Sequence, residues 1–123
     1  ESAHEFNRQV ISQINRHGGR IDGAYLCPHT PADACDCRKP LPGMLLQASE
    51  DLSIDLSQSV MVGDALTDVM AGQAAGVGES VLVRTGRGQA QEHLPQAATL
   101  PAFTRVNSLL NVLEAIQVQV AGL

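Results

Sequence analysis

The sequence has little of what marks several large classes of protein. It has no apolar run close to the roughly 20 residues of a membrane-spanning helix, so we expect no membrane partner. Its 8 basic residues stand against 13 acidic ones, and this net charge of −5 argues against a nucleic-acid surface. Its 3 cysteines are too few and too close for a disulfide framework, and they favour metal binding in a reducing, cytoplasmic compartment.

An initiator methionine is also absent. The sequence begins at Glu1, and a helix is predicted directly after it. We therefore expect the chain to be a fragment of a longer protein. Its 123 residues, 44% of them apolar and 17% charged, suffice for one domain with its own core. They give no indication of oligomeric state.

Helical and strand patterns alternate along the chain, which predicts a single α/β domain over residues 1–123 with a parallel sheet flanked by helices. Helices are predicted over 2–17, 43–52, 67–75 and from Ser108, and strands over 24–26, 59–62, 81–83 and 103–106. Two helices are expected to bury apolar faces, formed by Leu45, Leu46, Ala48, Ser49 and Leu52 in one and by Leu109, Leu110, Val112, Leu113 and Ile116 in the other.

All three cysteines and one histidine lie between residues 27 and 37, directly after the strand predicted over 24–26. Cys27, His29, Cys35 and Cys37 form Cys-x-His and Cys-x-Cys pairs, and four such ligands can close a tetrahedral zinc site. The alternative is three half-buried cysteines near a surface histidine. The clustering favours a Cys₃His structural zinc loop over 27–37.

The apolar strand predicted over 59–62 runs into Gly63 and Asp64, with Asp68 four residues further on. Ligands of open α/β sheets bind at the carboxyl ends of strands, where an aspartate can hold Mg²⁺. Asp68 would face the same cleft from the first helical turn. The competing interpretation is that Asp64 or Thr67 simply caps the helix, and the sequence leaves both open.

Two adjacent basic residues, Arg38 and Lys39, follow the cysteine loop. Arginine can hold a phosphate with two hydrogen bonds and lysine acts as a compact charge, although such pairs are usually solvated surface. The glycine-rich Gly86-Arg87-Gly88 is a weak signal because it lacks the spacing of a dinucleotide-binding loop. Gly72 and Gly76 are interpreted as helix packing and helix termination.

Four segments occur together in one order: Cys27-Pro28-His29, then Cys35 to Pro40, then Met61 to Asp64 with Asp68, and finally Val81 to Gly86. This combination resembles the D-glycero-D-manno-heptose-1,7-bisphosphate 7-phosphatases of the haloacid dehalogenase superfamily. The related histidinol-phosphate phosphatases share much of it. The likeness runs from about residue 1 to residue 118.

The resemblance implies a Rossmann-like fold and a Mg²⁺-dependent sugar-phosphate phosphatase that works through an aspartyl-phosphate. It implies that Lys39 neutralises charge on the phosphoryl group, that Arg38 recognises substrate, that Asp64 binds Mg²⁺ and that Asp68 orients Lys39. It also implies structural zinc on Cys27, His29, Cys35 and Cys37. A small phosphorylated sugar is the expected partner.

The sequence departs from this family in one respect, because it contains no Asp-x-Asp motif. In the family that motif ends the first strand and supplies the nucleophile. We therefore expect the first two strands to be missing, and the 123 residues alone to be inactive and marginally stable. The alternatives are a histidinol-phosphate phosphatase and, from another class, a non-catalytic zinc-stabilised binding module.

Overall fold

Three parallel strands form the sheet of this protein, for which a computed structural model describes residues 2–25, 39–112 and 114. The strands are β1 (Val60–Gly63), β2 (Glu79–Val83) and β3 (Thr104–Val106), in the spatial order β1-β2-β3. Val62 pairs with Val81, and Val83 pairs with Val106. Parallel strands need crossover connections, and helices supply them here. The predicted α/β architecture is confirmed.

Helices precede, connect and follow the strands. They are α1 (Ser2–Arg16), α2 (Gly43–Leu52), α3 (Leu66–Ala75) and the single turn α4 (Gly88–Gln91), with 3₁₀ turns at Leu56–Gln58 and Pro95–Ala98. A last helix begins at Leu109. The predicted bounds of α2 are confirmed, and those of α3 differ by one residue. Among the described residues, no helix is long and apolar enough to cross a membrane.

Alternate residues of β2 face two separate apolar clusters. Leu82 packs with Leu66 and Val69 of α3 on one face of the sheet. Val81 and Val83 face the other side and pack with Val112 of the last helix. A strand covered on both faces is expected to be apolar at every position, which explains the continuous run in the sequence.

Two glycines, one within α3 and one directly after it, have the roles expected of them. A methyl group at Gly72 would lie 2.5 Å from Ser80 Oγ and 2.8 Å from Met61 Cβ, so the helix packs on the sheet only without a side chain there. Gly76 ends the helix with a φ of 86°, a left-handed conformation that suits glycine. Both interpretations are confirmed.

The strand predicted over 24–26 is wrong for its described part, because Ala24 and Tyr25 belong to no strand. An extended segment becomes a strand only when its backbone pairs with a neighbour. Tyr25 is held instead by its hydroxyl, which donates to Asp51 Oδ2 of α2 at 3.0 Å. Desolvation, and then this hydrogen bond and the charge of Asp51, raise the pKa of Tyr25. Residue 26 lies outside the described residues.

The predicted buried faces of two helices are also partly wrong. Leu46 of α2 is 48% exposed, and no residue of α2 is fully buried, because the contacts of this helix within the described residues are mainly with α3. In the last helix, Leu109 and Leu110 are exposed whereas Val112 is buried. Residues two apart lie on nearly opposite sides of a helix, so Leu110 faces away when Val112 faces the sheet.

Candidate active site

The turn between β1 and α3 lies at the carboxyl end of the sheet. β1 ends at Gly63, and Asp64 and Ala65 lead into the first residue of α3, Leu66. A methyl group on Gly63 would lie 2.3 Å from Asp68 Oδ2, so glycine is required for the carboxylate to approach the strand. The apolar strand and its terminal glycine therefore bring two aspartates to one edge of the sheet.

Asp68 is buried beneath this turn, with 5% of the residue exposed. Its Oδ2 accepts a hydrogen bond from the backbone N–H of Ala65 at 3.2 Å. Ala65 occupies the N-cap position of α3, so the alternative in which Asp64 or Thr67 caps the helix is wrong. An acidic side chain at the third helical position accepts a hydrogen bond from the N-cap amide. Its negative charge also interacts favourably with the helix dipole.

The other oxygen of Asp68 accepts a hydrogen bond from Lys39 Nζ. The Lys39 side chain is 42% exposed, whereas the Asp68 side chain is only 7% exposed. The fold thus brings together two residues that are 29 positions apart. The result is an ammonium group that is anchored on one side by a buried carboxylate and remains open to solvent on the other.

Asp64 is more exposed and is held by a different segment. Its Oδ2 accepts a hydrogen bond from the backbone N–H of Arg87 at 3.1 Å. The Arg87 Nε lies 3.8 Å from Asp64 Oδ1, in an ion pair whose side chains are 66% and 37% exposed. Arg87 is not among the residues predicted from the sequence, because its glycine-rich segment lacks the spacing of a dinucleotide-binding loop. Its place after the apolar strand β2 was the available signal, since that strand ends at the same edge.

A second polar network surrounds the ends of β2 and β3. Arg84 follows β2 and donates through Nε to both carboxylate oxygens of Glu92, at 3.0 and 3.1 Å. Its Nη1 donates to Asn107 Oδ1 at 2.9 Å. Arg105 Nε lies 3.7 Å from Glu92, and its guanidinium stacks over Phe103 at 4.3 Å. This network ties the segment after β2 to the segment after β3.

Similarity to known proteins shows the family to which this chain belongs. Residues 36–111 match the family described as HAD-hydrolase-like, and this match includes Lys39, Asp64 and Asp68. The chain belongs to this HAD-hydrolase-like family. The three-stranded parallel sheet and its flanking helices agree with the haloacid dehalogenase fold.

Several curated relatives that this chain resembles carry the name D-glycero-beta-D-manno-heptose-1,7-bisphosphate 7-phosphatase. The Yersinia pestis protein is 52% identical over 77 residues, which are 57% of this chain and 41% of the relative. The Photorhabdus laumondii protein is 46% identical over 107 residues, 81% of this chain and 54% of the relative. The chain thus spans about half the length of the curated relatives it matches.

One solved structure is also similar to this chain. It is the D,D-heptose 1,7-bisphosphate phosphatase from B. bronchiseptica, complexed with magnesium and phosphate. The two chains are 34% identical with a TM-score of 0.82, over 95% of this chain and 64% of that one. This likeness extends the agreement in fold beyond the residues matched by the family.

Asp64 fits one ligand position of a magnesium site. Its carboxylate is partly exposed, and within the described part of the chain only Oδ2 accepts a backbone hydrogen bond. Mg²⁺ in proteins commonly takes one or two carboxylates and completes its shell with water and substrate phosphate. Within residues 2–25, 39–112 and 114, no group of three or more His, Cys, Asp or Glu side chains could hold an ion. Further protein ligands would have to come from elsewhere.

The predicted zinc ligands and one predicted substrate residue lie outside the described residues. They are Cys27, His29, Cys35, Cys37 and Arg38. Their roles therefore remain predictions from the sequence.

Proposed function

We propose that this chain forms part of a Mg²⁺-dependent phosphatase that removes the 7-phosphate of D-glycero-D-manno-heptose 1,7-bisphosphate. The observation that carries the proposal is the ion pair between Lys39 and Asp68, beside Asp64, at the carboxyl end of a parallel sheet. The relatives compared above are named for heptose bisphosphate, which favours this substrate over histidinol phosphate.

Charge placement explains how these residues would act. Negative charge on a transferring phosphoryl group calls for cations that are already in position. Lys39 would supply one, because Asp68 holds the ammonium at a defined place and leaves part of it open to an incoming phosphate. Asp68 would thus orient Lys39 without touching the substrate. Arg38, its neighbour in the chain, would recognise the substrate.

Asp64 would hold Mg²⁺ through the carboxylate oxygen that the backbone leaves free. When bound, the ion would stabilise negative charge on the phosphoryl oxygens and on the attacking carboxylate. The protein would fix the orientation of Asp64 through the backbone N–H of Arg87. It would hold Lys39 separately, through Asp68.

The catalytic nucleophile is not among these 123 residues, which contain no Asp-x-Asp motif. We propose that the chain is a partial phosphatase domain whose first two strands are missing. In the described sheet, β1 pairs with β2 on one side only, so its other edge could receive a strand that ends in the nucleophile. Because parallel strands run in one direction, such a strand would end at the carboxyl end of the sheet, beside Asp64 and Lys39.

The cysteine loop completes the proposal. Cys27, His29, Cys35 and Cys37 would bind structural zinc, and the metal would limit the freedom of the backbone that leads to Arg38 and Lys39. A reducing cytoplasmic compartment suits these thiolate ligands. The Cys₃His set and the adjacent Arg-Lys pair support this arrangement.

A chimera tests the proposal. The part of the Escherichia coli relative that precedes its matched region would be joined to Glu1, since that relative is 46% identical over 106 residues. Phosphate release would be measured on heptose 1,7-bisphosphate and on histidinol phosphate, with Mg²⁺ and with EDTA. We expect Mg²⁺-dependent release from the heptose substrate by the chimera and none by the 123-residue chain.

Other results have distinct meanings. Faster phosphate release from histidinol phosphate would mean that histidinol phosphate, and not the heptose bisphosphate, is the substrate. A folded, zinc-containing chimera without phosphatase activity would favour a non-catalytic binding module. Turnover by the 123-residue chain at a normal enzymatic rate would refute the proposed mechanism, because that chain lacks the nucleophile.

A further inference from the structure

Two hydrogen bonds connect the segment after β2 to the turn after β1. The backbone N–H of Arg87 donates to Asp64 Oδ2 at 3.1 Å. Four residues later, Gln91 Oε1 accepts a hydrogen bond from the backbone N–H of Leu66 at 2.9 Å. One bond thus holds the aspartate side chain, and the other holds the backbone at the start of α3. Together they restrain the turn that carries Asp64.

The glycines of this segment explain how the backbone comes so close. Gly86 has a φ of 62°, and a methyl group there would lie 2.6 Å from Asp64 Oδ2. The carboxylate therefore occupies the space that a side chain would need. A methyl group at Gly88 would lie 1.6 Å from the carbonyl oxygen of Val83, so this glycine lets the turn press against the end of β2.

We propose that the Gly86–Arg87 turn is a positioning element for Asp64. The main-chain N–H of Arg87 fixes Oδ2, and Oδ1 remains the oxygen available to a divalent cation. This inference rests on the proposed function, in which Asp64 binds Mg²⁺. Groups that hydrogen-bond a metal ligand orient it, and their loss typically weakens metal binding by about 10- to 100-fold.

The Arg87 side chain has a separate effect. Its guanidinium is 66% exposed, and its Nε lies 3.8 Å from Asp64 Oδ1, beyond hydrogen-bonding distance. It can therefore move away while the backbone N–H stays bonded. A cation near Oδ1 competes with a divalent ion, so Arg87→Ala should leave divalent-ion affinity unchanged or raise it. Arg87→Pro, which also removes the N–H, should lower it.

The first experiment examines the hydrogen bond in the metal-free 123-residue chain. Amide exchange would be followed by NMR, and we expect the Arg87 amide to be protected. In Asp64→Ala its exchange should accelerate on the order of tenfold, the factor that corresponds to loss of one hydrogen bond. An Arg87 amide that is unprotected while the amides of β2 are protected, or equal protection of Arg87 in Asp64→Ala, would overturn the inference whether or not the chimera is active.

The second experiment measures cation binding in the same chain, using Mn²⁺ as a paramagnetic probe for a carboxylate site. We expect Mn²⁺ to broaden the signals of Asp64 and Ala65, and Gly86→Ala to weaken this effect about tenfold. Gly76→Ala is the matched control, because Gly76 also has a positive φ but has open space around it. Equal Mn²⁺ affinity in Gly86→Ala and Gly76→Ala would contradict the proposal.

The chimera supplies a third measurement. Gly86→Ala should raise the Mg²⁺ concentration for half-maximal activity about tenfold and leave KM for the sugar phosphate unchanged. A change in KM with unaltered Mg²⁺ dependence would assign the turn to substrate binding and refute the positioning role. If the chimera releases no phosphate, the proposed function fails, whereas the amide and Mn²⁺ experiments still decide the role of the turn.

Discussion

Asp68 makes two different interactions with one carboxylate. Oδ2 satisfies the N-cap amide of α3, and Oδ1 anchors the Lys39 ammonium. A buried carboxylate is costly unless its oxygens find partners, and here one partner is structural and the other is functional. The residue therefore couples the start of the helix to the position of the cation that we propose for catalysis.

At this scale we predict the effect of removing the cation. In the chimera, Lys39→Ala should reduce kcat by on the order of 10², because the phosphoryl group loses a preplaced positive charge. Arg8→Ala, which removes an exposed charge paired with Glu5, is the control and should have no effect. Phosphate release is the measurement, and circular dichroism checks the fold. A kcat close to that of the unsubstituted chimera would show that Lys39 takes no part in the mechanism.

Helix α3 packs closely against the sheet at Gly72. Gly72 lies against Ser80 and Met61, at distances that leave no room for a methyl group. Helix propensity alone would favour alanine at this position by about 1 kcal/mol, but overpacking in a close interface typically costs about 1–3 kcal/mol. The tertiary term should therefore exceed the local one.

Gly72→Ala should accordingly lower the free energy of unfolding by roughly 1–2 kcal/mol, measured by urea denaturation. Ala74→Ser is the matched control, because Ala74 lies on the exposed side of the same helix. It should change the stability by less than about 0.5 kcal/mol. Stabilisation by Gly72→Ala would mean that α3 does not approach β1 as closely as described.

The Tyr25–Asp51 hydrogen bond joins the segment that precedes the cysteine loop to α2. The folded-state pKa of Tyr25 is raised, first by desolvation and then by Asp51. The stabilisation is therefore fully present below the unfolded pKa and is lost as the pH rises through the folded pKa. Deprotonation removes the donor of this hydrogen bond, which agrees with the sign.

Absorbance titration can check this pKa directly, since the chain has 1 tyrosine and no tryptophan. We expect a pKa above the ordinary tyrosine value and a partial fall in Asp51→Asn, because desolvation remains. Asp22→Asn removes the same charge from a residue paired with Arg20 and should leave the pKa unchanged. An ordinary pKa in the unsubstituted chain would contradict the contact.

At the scale of the whole molecule, the proposed zinc loop should determine stability. We predict about one zinc per chain in freshly purified protein, measured by elemental analysis. Cys35→Ser should lose the metal and lower Tm, because metal binding contributes to folding. His93→Ala is the control, since His93 lies outside the loop and should not affect zinc content. If protein that was isolated without chelators contained no zinc, the Cys₃His assignment would be refuted.

Periodicity and apolar runs were sufficient to predict most of the elements. The strands and α3 were located to within two residues, because buried parallel strands and amphipathic helices leave local patterns. The failures came where a segment had the pattern but lacked a partner. Tyr25 is expected in a strand but is held by its side chain, and Leu46 is expected to be buried but lies on an exposed part of α2.

The sequence by itself determined the order of the elements from α2 to β3, the glycines at the ends of β1 and α3, and the residue types available for phosphate chemistry. These depend on neighbouring residues, which periodicity records. Only the tertiary structure decided that Lys39 meets Asp68 and that the Arg87 amide holds Asp64. Both contacts join residues more than twenty positions apart, and local patterns carry no information on such pairs. Crossover connections bring the ends of separate strands to one edge of the sheet, and only there do these residues meet.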